Sequence, residues 1–312
     1  MKTLPAKFKP MLAATYVAGE SNVKFPLLVS PKLDGYRAVG GPLKKDTVLY
    51  SKNLKPLRNE WLQQHFNDSR VLGLDGELIV GKPTGEGVFN RTSSGVTKKT
   101  GQPDVTFYVF DCFLDLDAPF SARLAIAELK VAEAAGELRV EFVPHVLVRN
   151  QKELAAAAKK FVKEGYEGMM GRSPDGPYKF GRSTEKEGYL WKFKQFRDGE
   201  ARVVCFEEAE LNTNEATRDE LGRTKRSSAK AGKVPKGMVG TIVGKDVKTG
   251  EELRIGPGRL TAKQRVELWN ERTQHEGRMV VKYRVFDYGS KDKARFPTCQ
   301  GIQGVDDVSL EG

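Results

Sequence analysis

Cysteine and histidine are scarce in this chain. Its 312 residues include only three of each, and Cys112, Cys205 and Cys299 lie far apart in the sequence. No two cysteines have the spacing of a zinc or redox pair, so reduced, buried thiols are expected. The histidines are equally scattered, which argues against a zinc site and against a histidine-based catalytic triad.

Long apolar runs are also missing. No segment has the length and hydrophobicity of a membrane span, and residues 1–20 contain no continuous apolar stretch typical of a secretory signal. We therefore expect a soluble, intracellular protein with no membrane partner. The length fits two domains of roughly 100–200 residues each. Nothing in the sequence implies an obligate protein partner, so a monomer is the simplest expectation.

Positive charge is abundant. Lysine and arginine number 52 against 41 acidic residues, which gives a formal net charge of +11. Such an excess favours a polyanionic partner, because each cation placed near a phosphate releases condensed counterions. The charge alone does not identify nucleic acid as that partner, since many basic proteins bind none.

The first two thirds of the chain alternate between strand-like and helix-like segments. Apolar, aromatic and β-branched runs predict strands at about 26–30, 71–80 and 105–113. Apolar residues at helical spacing predict one helix that begins near Ser121 and a second over about 151–164. This part therefore has an α+β pattern.

The pattern changes after residue 197. Several short strands follow, with one predicted helix at about 261–272 between them. Five or so short strands with a single helix are typical of a small β-barrel such as an OB-fold. We therefore place the domain boundary between residues 197 and 198.

A basic, weakly apolar stretch lies within the second part. Between residues 218 and 236 there are two acids and seven basic residues: Arg218, Arg223, Lys225, Arg226, Lys230, Lys233 and Lys236. Such a run can be a solvated loop. It can also be an arm that folds onto a nucleic-acid backbone.

A short pattern, Lys32-x-Asp34-Gly35, follows the first predicted strand. A lysine amine is a nucleophile only when neutral, a form that nearby cations or burial favour. Gly35 allows the backbone to turn and to approach a ligand closely. Chance would place this pattern in a chain of this length less than about one time in ten, so a surface turn remains an alternative.

Acidic and basic residues recur downstream in positions that suit a nucleotide. Asp75 and Glu77 are two residues apart, so both side chains would point to one face of a strand. Glu167 precedes an apolar segment, where an acid needs a partner or a metal. Lys192 and Lys194 would also share a strand face, and two ammonium groups there suit a triphosphate.

Together these segments resemble the motifs of the covalent nucleotidyltransferases, which comprise DNA ligases, RNA ligases and mRNA capping enzymes. The resemblance covers nearly the whole chain and is strongest to the minimal, viral-type ATP-dependent DNA ligases. The segments that carry it are 31–35, 55–59, 75–77, 167–168, 178–184, 192–196 and 289–297.

The resemblance implies an α+β nucleotidyltransferase (adenylation) domain over 1–197. An all-β OB-fold domain would follow over 198–312, with an inserted basic DNA-binding latch at about 208–236. The implied activity is ATP-dependent sealing of 3′-hydroxyl/5′-phosphate nicks in duplex DNA, through a lysyl-AMP and a DNA-adenylate intermediate.

Roles for individual residues follow from the same resemblance. Lys32 would carry AMP, Glu77 would bind the ribose and Phe110 would stack on adenine. The implied catalytic residues are Lys32, Arg37, Glu77, Glu167, Lys192 and Lys194. The implied ATP and AMP contacts add Ser30, Pro31, Phe110, Arg295 and Asp307. The implied ligands of Mg²⁺ or Mn²⁺ are Asp34, Glu77 and Glu167.

Nicked DNA would be contacted by Arg37, Lys52, Arg182 and the seven basic residues of the arm. Lys52 departs from the family pattern, in which an arginine reads the nick 5′-phosphate. Lysine keeps the charge but loses the two-pronged geometry of a guanidinium. Three other functions stay open: an RNA ligase, a GTP-using capping enzyme, and a non-catalytic nucleic-acid-binding module.

Overall fold

The computed structural model describes residues 3–17, 21–194, 196–218, 224–286 and 295–303. The predicted DNA contact Arg223 and the predicted nucleotide contact Asp307 lie outside these residues. For Arg218, Lys225 and Arg295 the description covers the backbone alone. The chain divides into two compact units, Met1–Lys194 and Gln195–Gly312.

The first unit contains strands and helices in alternation. Its strands are β1 (Ala14–Thr15), β2 (Leu27–Lys32), β3 (Tyr36–Leu43), β4 (Asp46–Ser51), β5 (Leu74–Val80), β6 (Val105–Cys112), β7 (Val140–Phe142), β8 (Val146–Val148), β9 (Gly168–Arg172) and β10 (Leu190–Lys194). Its helices are α1 (Glu60–His65), α2 (Val88–Thr97), α3 (Phe120–Ala134) and α4 (Gln151–Lys163).

Two five-stranded mixed sheets organise this unit. One has the order β1-β10-β9-β2-β8 and the other β4-β3-β5-β6-β7. The pairs β1/β10 and β6/β7 are parallel, and the remaining neighbours are antiparallel. An apolar core that includes Met11, Val39, Tyr178 and Leu190 joins residues of both sheets. The sheets therefore face each other across buried side chains.

Helices cover the outer faces of both sheets. Helix α3 packs on β6 and β7, and α2 packs on β5, where Phe66, Phe107 and Val131 share a core. Helix α4 packs on β9 and β2 through Leu154 and Phe161. Its alanine-rich sequence favours the helix, and Asn150 caps it by accepting a hydrogen bond from the Glu153 amide at 2.9 Å.

Two glycines let strands approach more closely than a side chain would allow. A Cβ atom on Gly168 would lie 2.3 Å from the Phe193 carbonyl oxygen, so β9 and β10 need glycine there. A Cβ atom on Gly35 would lie 2.3 Å from the Leu78 carbonyl oxygen. The chain after β2 can therefore press against β5 only because residue 35 has no side chain.

The second unit is built mainly from strands. They are β11 (Arg197–Asn212), β12 (Ala216–Arg218), β13 (Thr224–Arg226), β14 (Lys233–Asp246), β15 (Glu252–Ile255), β16 (Val280–Phe286) and β17 (Arg295–Gln303). Helices α5 (Ala262–Asn270) and α6 (Arg272–His275) lie between β15 and β16. Thr261 and Gln264 form a capping box at the start of α5.

Five of these strands form a sheet whose two edges meet. The order is β15-β14-β11-β16-β17, and a parallel bridge joins Gly256, just after β15, to Thr298 in β17. The Gly256 amide donates to the Pro297 carbonyl at 2.8 Å, and the Cys299 amide donates to the Gly256 carbonyl at 2.9 Å. The sheet thus closes into a small barrel around residues such as Val203, Ile242 and Tyr283.

The basic stretch extends from this barrel as a hairpin. Strands β11 and β14 stay paired outward as far as Asn212 and Lys233, and β12 pairs with β13 beyond them. The Thr213 amide donates to the Gly232 carbonyl at 2.7 Å, so the ends of the stretch between them lie close together. The described part of this segment is therefore a β-structured arm rather than an irregular loop.

One predicted element boundary is wrong. The strand predicted at 71–80 begins at Leu74, because Gly73 has a φ of +83° and residues 69–71 form a 3₁₀ turn. The helix predicted to begin near Ser121 is confirmed, since it begins at Phe120, directly after Pro119. Across the part of the chain that is described, no helix is long and apolar enough to cross a membrane.

Candidate active site

A cavity of about 290 Å³ opens in the first unit. It contains ten of the residues predicted from the sequence: Ser30, Pro31, Lys32, Arg37, Lys52, Glu77, Phe110, Arg182, Lys192 and Lys194. Glu167 does not line the cavity but bonds to two residues that do. Asp34, a predicted metal ligand, does not line it either.

Strand register brings Lys32 and Lys194 together. Gly168 of β9 pairs with Lys194 of β10 on one side and with Lys32 of β2 on the other. Directly opposite residues in neighbouring strands share a face of the sheet. The two lysines therefore flank Gly168, and Glu167 stands just before it in the chain.

Glu167 bridges the two lysines. One carboxylate oxygen, Oε2, accepts a hydrogen bond from Lys32 Nζ, and the other, Oε1, accepts one from Lys194 Nζ. Burial alone would raise the pKa of Glu167, but the two ammonium groups outweigh it and lower that pKa below its usual range. Glu167 is therefore an ionised carboxylate that fixes both amines at the cavity edge.

A second cross-strand row extends along the cavity floor. Lys192 of β10 pairs with Met170 of β9, and Met170 pairs with Ser30 of β2. Burial, followed by the charges of Lys194, Arg182 and Lys32, lowers the pKa of Lys192. An anion beside Lys192 would relieve this crowding of positive charge, so the cavity suits a polyanionic group at this end.

Arg37 is held in place by a buried carboxylate. Its Nε and Nη2 atoms donate to the two oxygens of Asp75, both at 2.6 Å, and Asp75 is fully buried. Asp75 also accepts from the Tyr178 hydroxyl at 2.6 Å. The guanidinium lies 4.8 Å from the centre of the Phe110 ring. Most of the N–H groups of Arg37 already donate hydrogen bonds to the protein. Its guanidinium thus supports Phe110 and the cavity wall.

A further buried carboxylate, Asp111, holds a second cation near Phe110. Asp111 accepts from Arg123 Nε at 3.0 Å and from Arg172. The Arg172 guanidinium lies 5.7 Å from the Phe110 ring centre. Phe110 is therefore bordered by two cations, each pinned by its own buried aspartate, and this arrangement fixes where an aromatic base could stack.

Glu77 differs from these acids because no hydrogen bond satisfies it in the described structure. It pairs across the sheet with Arg37 and lines the cavity. Burial raises the pKa of Glu77 to about 7, although Arg37 and Lys32 oppose the shift. An acid with a pKa near neutrality and an open face suits a ligand hydroxyl, to which it can donate or accept.

The carboxylates at the cavity can hold a divalent cation only if a bound ligand supplies further donor atoms. Among the described residues, no group of three His, Cys, Asp or Glu side chains is placed to hold a metal. Glu167 already uses both oxygens on lysines, which leaves Glu77 as the open carboxylate. Mg²⁺ commonly binds through one or two carboxylates, waters and substrate phosphates, and this cavity fits that mode.

Sequence reasoning missed several residues of the site. Met11, His145 and Arg172 line the cavity, and Tyr178 bonds to Asp75 beneath it. Met11, His145 and Arg172 lie outside the motifs found in the sequence, whereas Tyr178 begins the segment 178–184 but was given no role. Arg172 also had a signal of its own, because an arginine in an apolar strand needs an anionic partner.

A family model described as an ATP dependent DNA ligase domain matches residues 10–194, more than half of the chain. The chain belongs to this ATP-dependent DNA ligase family. The matched segment contains the whole cavity and both sheets of the first unit.

Individual relatives agree with the family. A DNA ligase of African swine fever virus is 29% identical over 189 residues, which cover 57% of this chain and 44% of the viral protein. The chain thus matches less than half the length of that relative. The crystal structure of Chlorella virus DNA ligase-adenylate is 29% identical with a TM-score of 0.53, and the match covers 95% of this chain and 99% of that one.

A Lig E DNA ligase has a TM-score of 0.66 at 23% identity, and the match covers 95% of this chain and 99% of the Lig E chain. This likeness concerns the fold. Together with the family match, it shows a nucleotidyltransferase-type ligase fold built on mixed sheets.

The raised pKa of Glu77 predicts that replacing this residue changes the stability of the protein in a pH-dependent way. A carboxyl group whose pKa is raised on folding favours the folded state at low pH and loses that contribution as pH rises through about 7. Glu77→Gln should therefore become more stable relative to the parent protein as pH rises from about 4.5 to about 7, and the difference should stay level above that. Urea unfolding at several pH values measures this, and a difference independent of pH would contradict the assignment.

Proposed function

We propose that this protein is an ATP-dependent DNA ligase that seals 3′-hydroxyl/5′-phosphate nicks in duplex DNA. The observation that carries the proposal is the bridge from Lys32 through Glu167 to Lys194 at the edge of a cavity with open acidic and basic groups. The family assignment of residues 10–194 supports it. The related Chlorella virus enzyme was solved as its adenylate.

The first step is the transfer of AMP to the enzyme. The Lys32 amine attacks the α-phosphorus of ATP, the N–P bond forms and pyrophosphate leaves. Lys192 and Lys194 neutralise the phosphates, Phe110 stacks on adenine and Glu77 bonds to the ribose. These residues position the reactants and offset charge, which is the main contribution of a protein to phosphoryl transfer. Before the attack, the Lys32 ammonium gives one proton to Glu167 Oε2, which already accepts its hydrogen bond, and the second proton leaves the nitrogen to solvent as the N–P bond forms.

The next two steps use DNA. The AMP moves from Lys32 to the 5′-phosphate at the nick, and the 3′-hydroxyl then attacks that phosphate and releases AMP. Lys52 and Arg182 line the cavity and carry positive charge towards such a phosphate. Mg²⁺ held by Glu77 and by substrate phosphates would assist by neutralising charge on the reacting phosphate.

We assign the second unit as an OB-fold domain with an inserted latch. Its closed order, β11-β14-β15-β17-β16 and back to β11, with α5 between β15 and β16, supports an OB-fold barrel. Residues 208–236 form the latch, an arm that binds the DNA backbone. Lys230, Lys233 and Lys236 are described in this arm, and Lys233 pairs with Glu210 at 3.2 Å.

A GTP-using capping enzyme and an RNA ligase are the closest alternatives, and a non-catalytic DNA-binding protein is the third. A capping enzyme would be labelled by GTP, whereas a DNA ligase would be labelled by ATP. An RNA ligase would join RNA, whereas a DNA ligase would join nicked duplex DNA. The third would form no covalent adduct with any nucleotide.

Replacing Lys32 tests the chemistry. Lys32→Ala should reduce covalent labelling by α-³²P-ATP and the sealing of nicked duplex DNA to background, because no amine remains to attack phosphorus. Lys159→Ala, on the exposed face of α4, is the matched control and should keep both activities. Labelling by GTP alone, or sealing that survives in Lys32→Ala, would overturn the proposal.

Removing the arm tests the latch. The Thr213 amide and Gly232 carbonyl are 2.7 Å apart, so residues 214–231 can be replaced by a two-residue Asn-Gly turn. Self-adenylation should persist, while affinity for nicked DNA should fall and its salt dependence should become shallower by about 0.9 in log–log slope per lost phosphate contact. Equal loss of labelling and of DNA binding would contradict the latch assignment.

A further inference from the structure

His145 continues the row of residues on the cavity floor. Strands β2 and β8 pair with Leu27 opposite Val148, Leu28 opposite Leu147 and Val29 opposite Val146. One more step of this antiparallel register sets His145 opposite Ser30. Both residues line the cavity, as expected for cross-strand neighbours that share a face.

The four residues of this cross-strand row extend from a lysine at one end to a histidine at the other. Lys192 stands at one end, followed by Met170 and Ser30, and His145 stands at the other end. Three strand spacings separate Lys192 from His145, on the order of 14 Å. A nucleotide can bridge this distance together with the lysine side chain, with its phosphates at Lys192 and its base near His145.

The imidazole of His145 is fixed in one tautomer. Its Nδ1 atom lies 2.9 Å from the Val143 carbonyl oxygen, and a carbonyl can only accept, so Nδ1 carries the hydrogen. The ring is packed edge-to-face against Phe120 at 5.4 Å. Burial and the charge of Arg172 lower the pKa of His145 to about 4. Nε2 is therefore an unprotonated acceptor at neutral pH.

This acceptor is open to the cavity. Within the described residues, Nε2 of His145 and Oγ of Ser30 have no hydrogen-bond partner, and neither atom is sealed from solvent. Open polar atoms on a cavity wall recognise polar edges of a ligand. Two such atoms at the base end of the row can therefore read the edge of a purine.

Resting on the proposed ligase function, the geometry points to His145 as the residue that selects adenine over guanine. Nε2 accepts a hydrogen bond from the exocyclic 6-amino group of ATP. Guanine carries a carbonyl oxygen at that position, so two acceptors would face each other. The ring cannot adapt by moving its hydrogen to Nε2, because the Nδ1 lone pair would then face the Val143 carbonyl oxygen.

The test compares nucleotides that differ at this group: ATP and purine riboside triphosphate differ there alone, whereas GTP also carries a 2-amino group and a hydrogen on N1. Rates of self-nucleotidylation are measured with ATP, with purine riboside triphosphate, which lacks the 6-amino group, and with GTP. The parent protein should prefer ATP over purine riboside triphosphate by about five- to tenfold, the effect of one net hydrogen bond. GTP should be used less well than either nucleotide.

Two variants of His145 distinguish a role in recognising adenine from a role in supporting the fold. His145→Phe keeps an aromatic ring without the acceptor and should remove the preference between ATP and purine riboside triphosphate. His145→Gln can present either a carbonyl or an amide, so it should keep part of that preference and use GTP better than the parent protein. Each comparison is a ratio within one protein, so a general loss of stability does not change it.

Two results would overturn the inference and leave the ligase assignment intact. One is an equal rate with ATP and purine riboside triphosphate in the parent protein. The other is a fall in both rates by the same factor in His145→Phe, which would mean that His145 only supports the fold. Absence of any nucleotide adduct on the parent protein would instead defeat the proposed function, and this inference with it.

Discussion

Glu167 sits between two ammonium groups, and the geometry of the cavity depends on this bridge. The carboxylate is nearly buried, with 8% of its side chain exposed, whereas Lys32 and Lys194 are 20% and 23% exposed. Removal of one partner from a buried ion pair costs roughly 3–5 kcal/mol, because the remaining charge stays uncompensated. The bridge therefore holds β2 and β10 on either side of β9 and points both amines at the same place.

The charged residues around the cavity fall into two groups. Lys32, Lys194, Arg37 and Arg172 are bound to buried carboxylates, so their positions are set before any ligand arrives. In the described structure, Glu77, Lys192, Ser30 and His145 leave polar atoms open to the cavity. A fixed frame with a few open contacts is the arrangement expected of a site that positions a reactive phosphate, since preorganised groups need not rearrange during the reaction.

The local parts of this structure could be predicted from sequence. Strands β2 and β6 follow from apolar, aromatic and β-branched runs, and helix α4 follows from apolar residues at helical spacing. Most of the residues predicted to form a nucleotide site line one cavity. Helix α2 was missed because threonine and serine interrupt its sequence and Gly87 at its start provides no side-chain cap. The cross-strand row could not be predicted, since the pairing of β2 with β8 and β9 depends on contacts between distant segments. For that reason the sequence alone does not predict that His145 lies at the cavity.

We propose that Lys32, among several lysines at one cavity, is the nucleophile. The direct measurement is mass spectrometry of peptides from the parent protein after incubation with ATP and Mg²⁺. We expect an AMP adduct on the peptide that contains Lys32, with the fragment ions locating it on that side chain. An adduct on Lys192 or Lys194 instead would show that Lys32 is not the nucleophile, because those amines are assigned to bind phosphates and not to attack them.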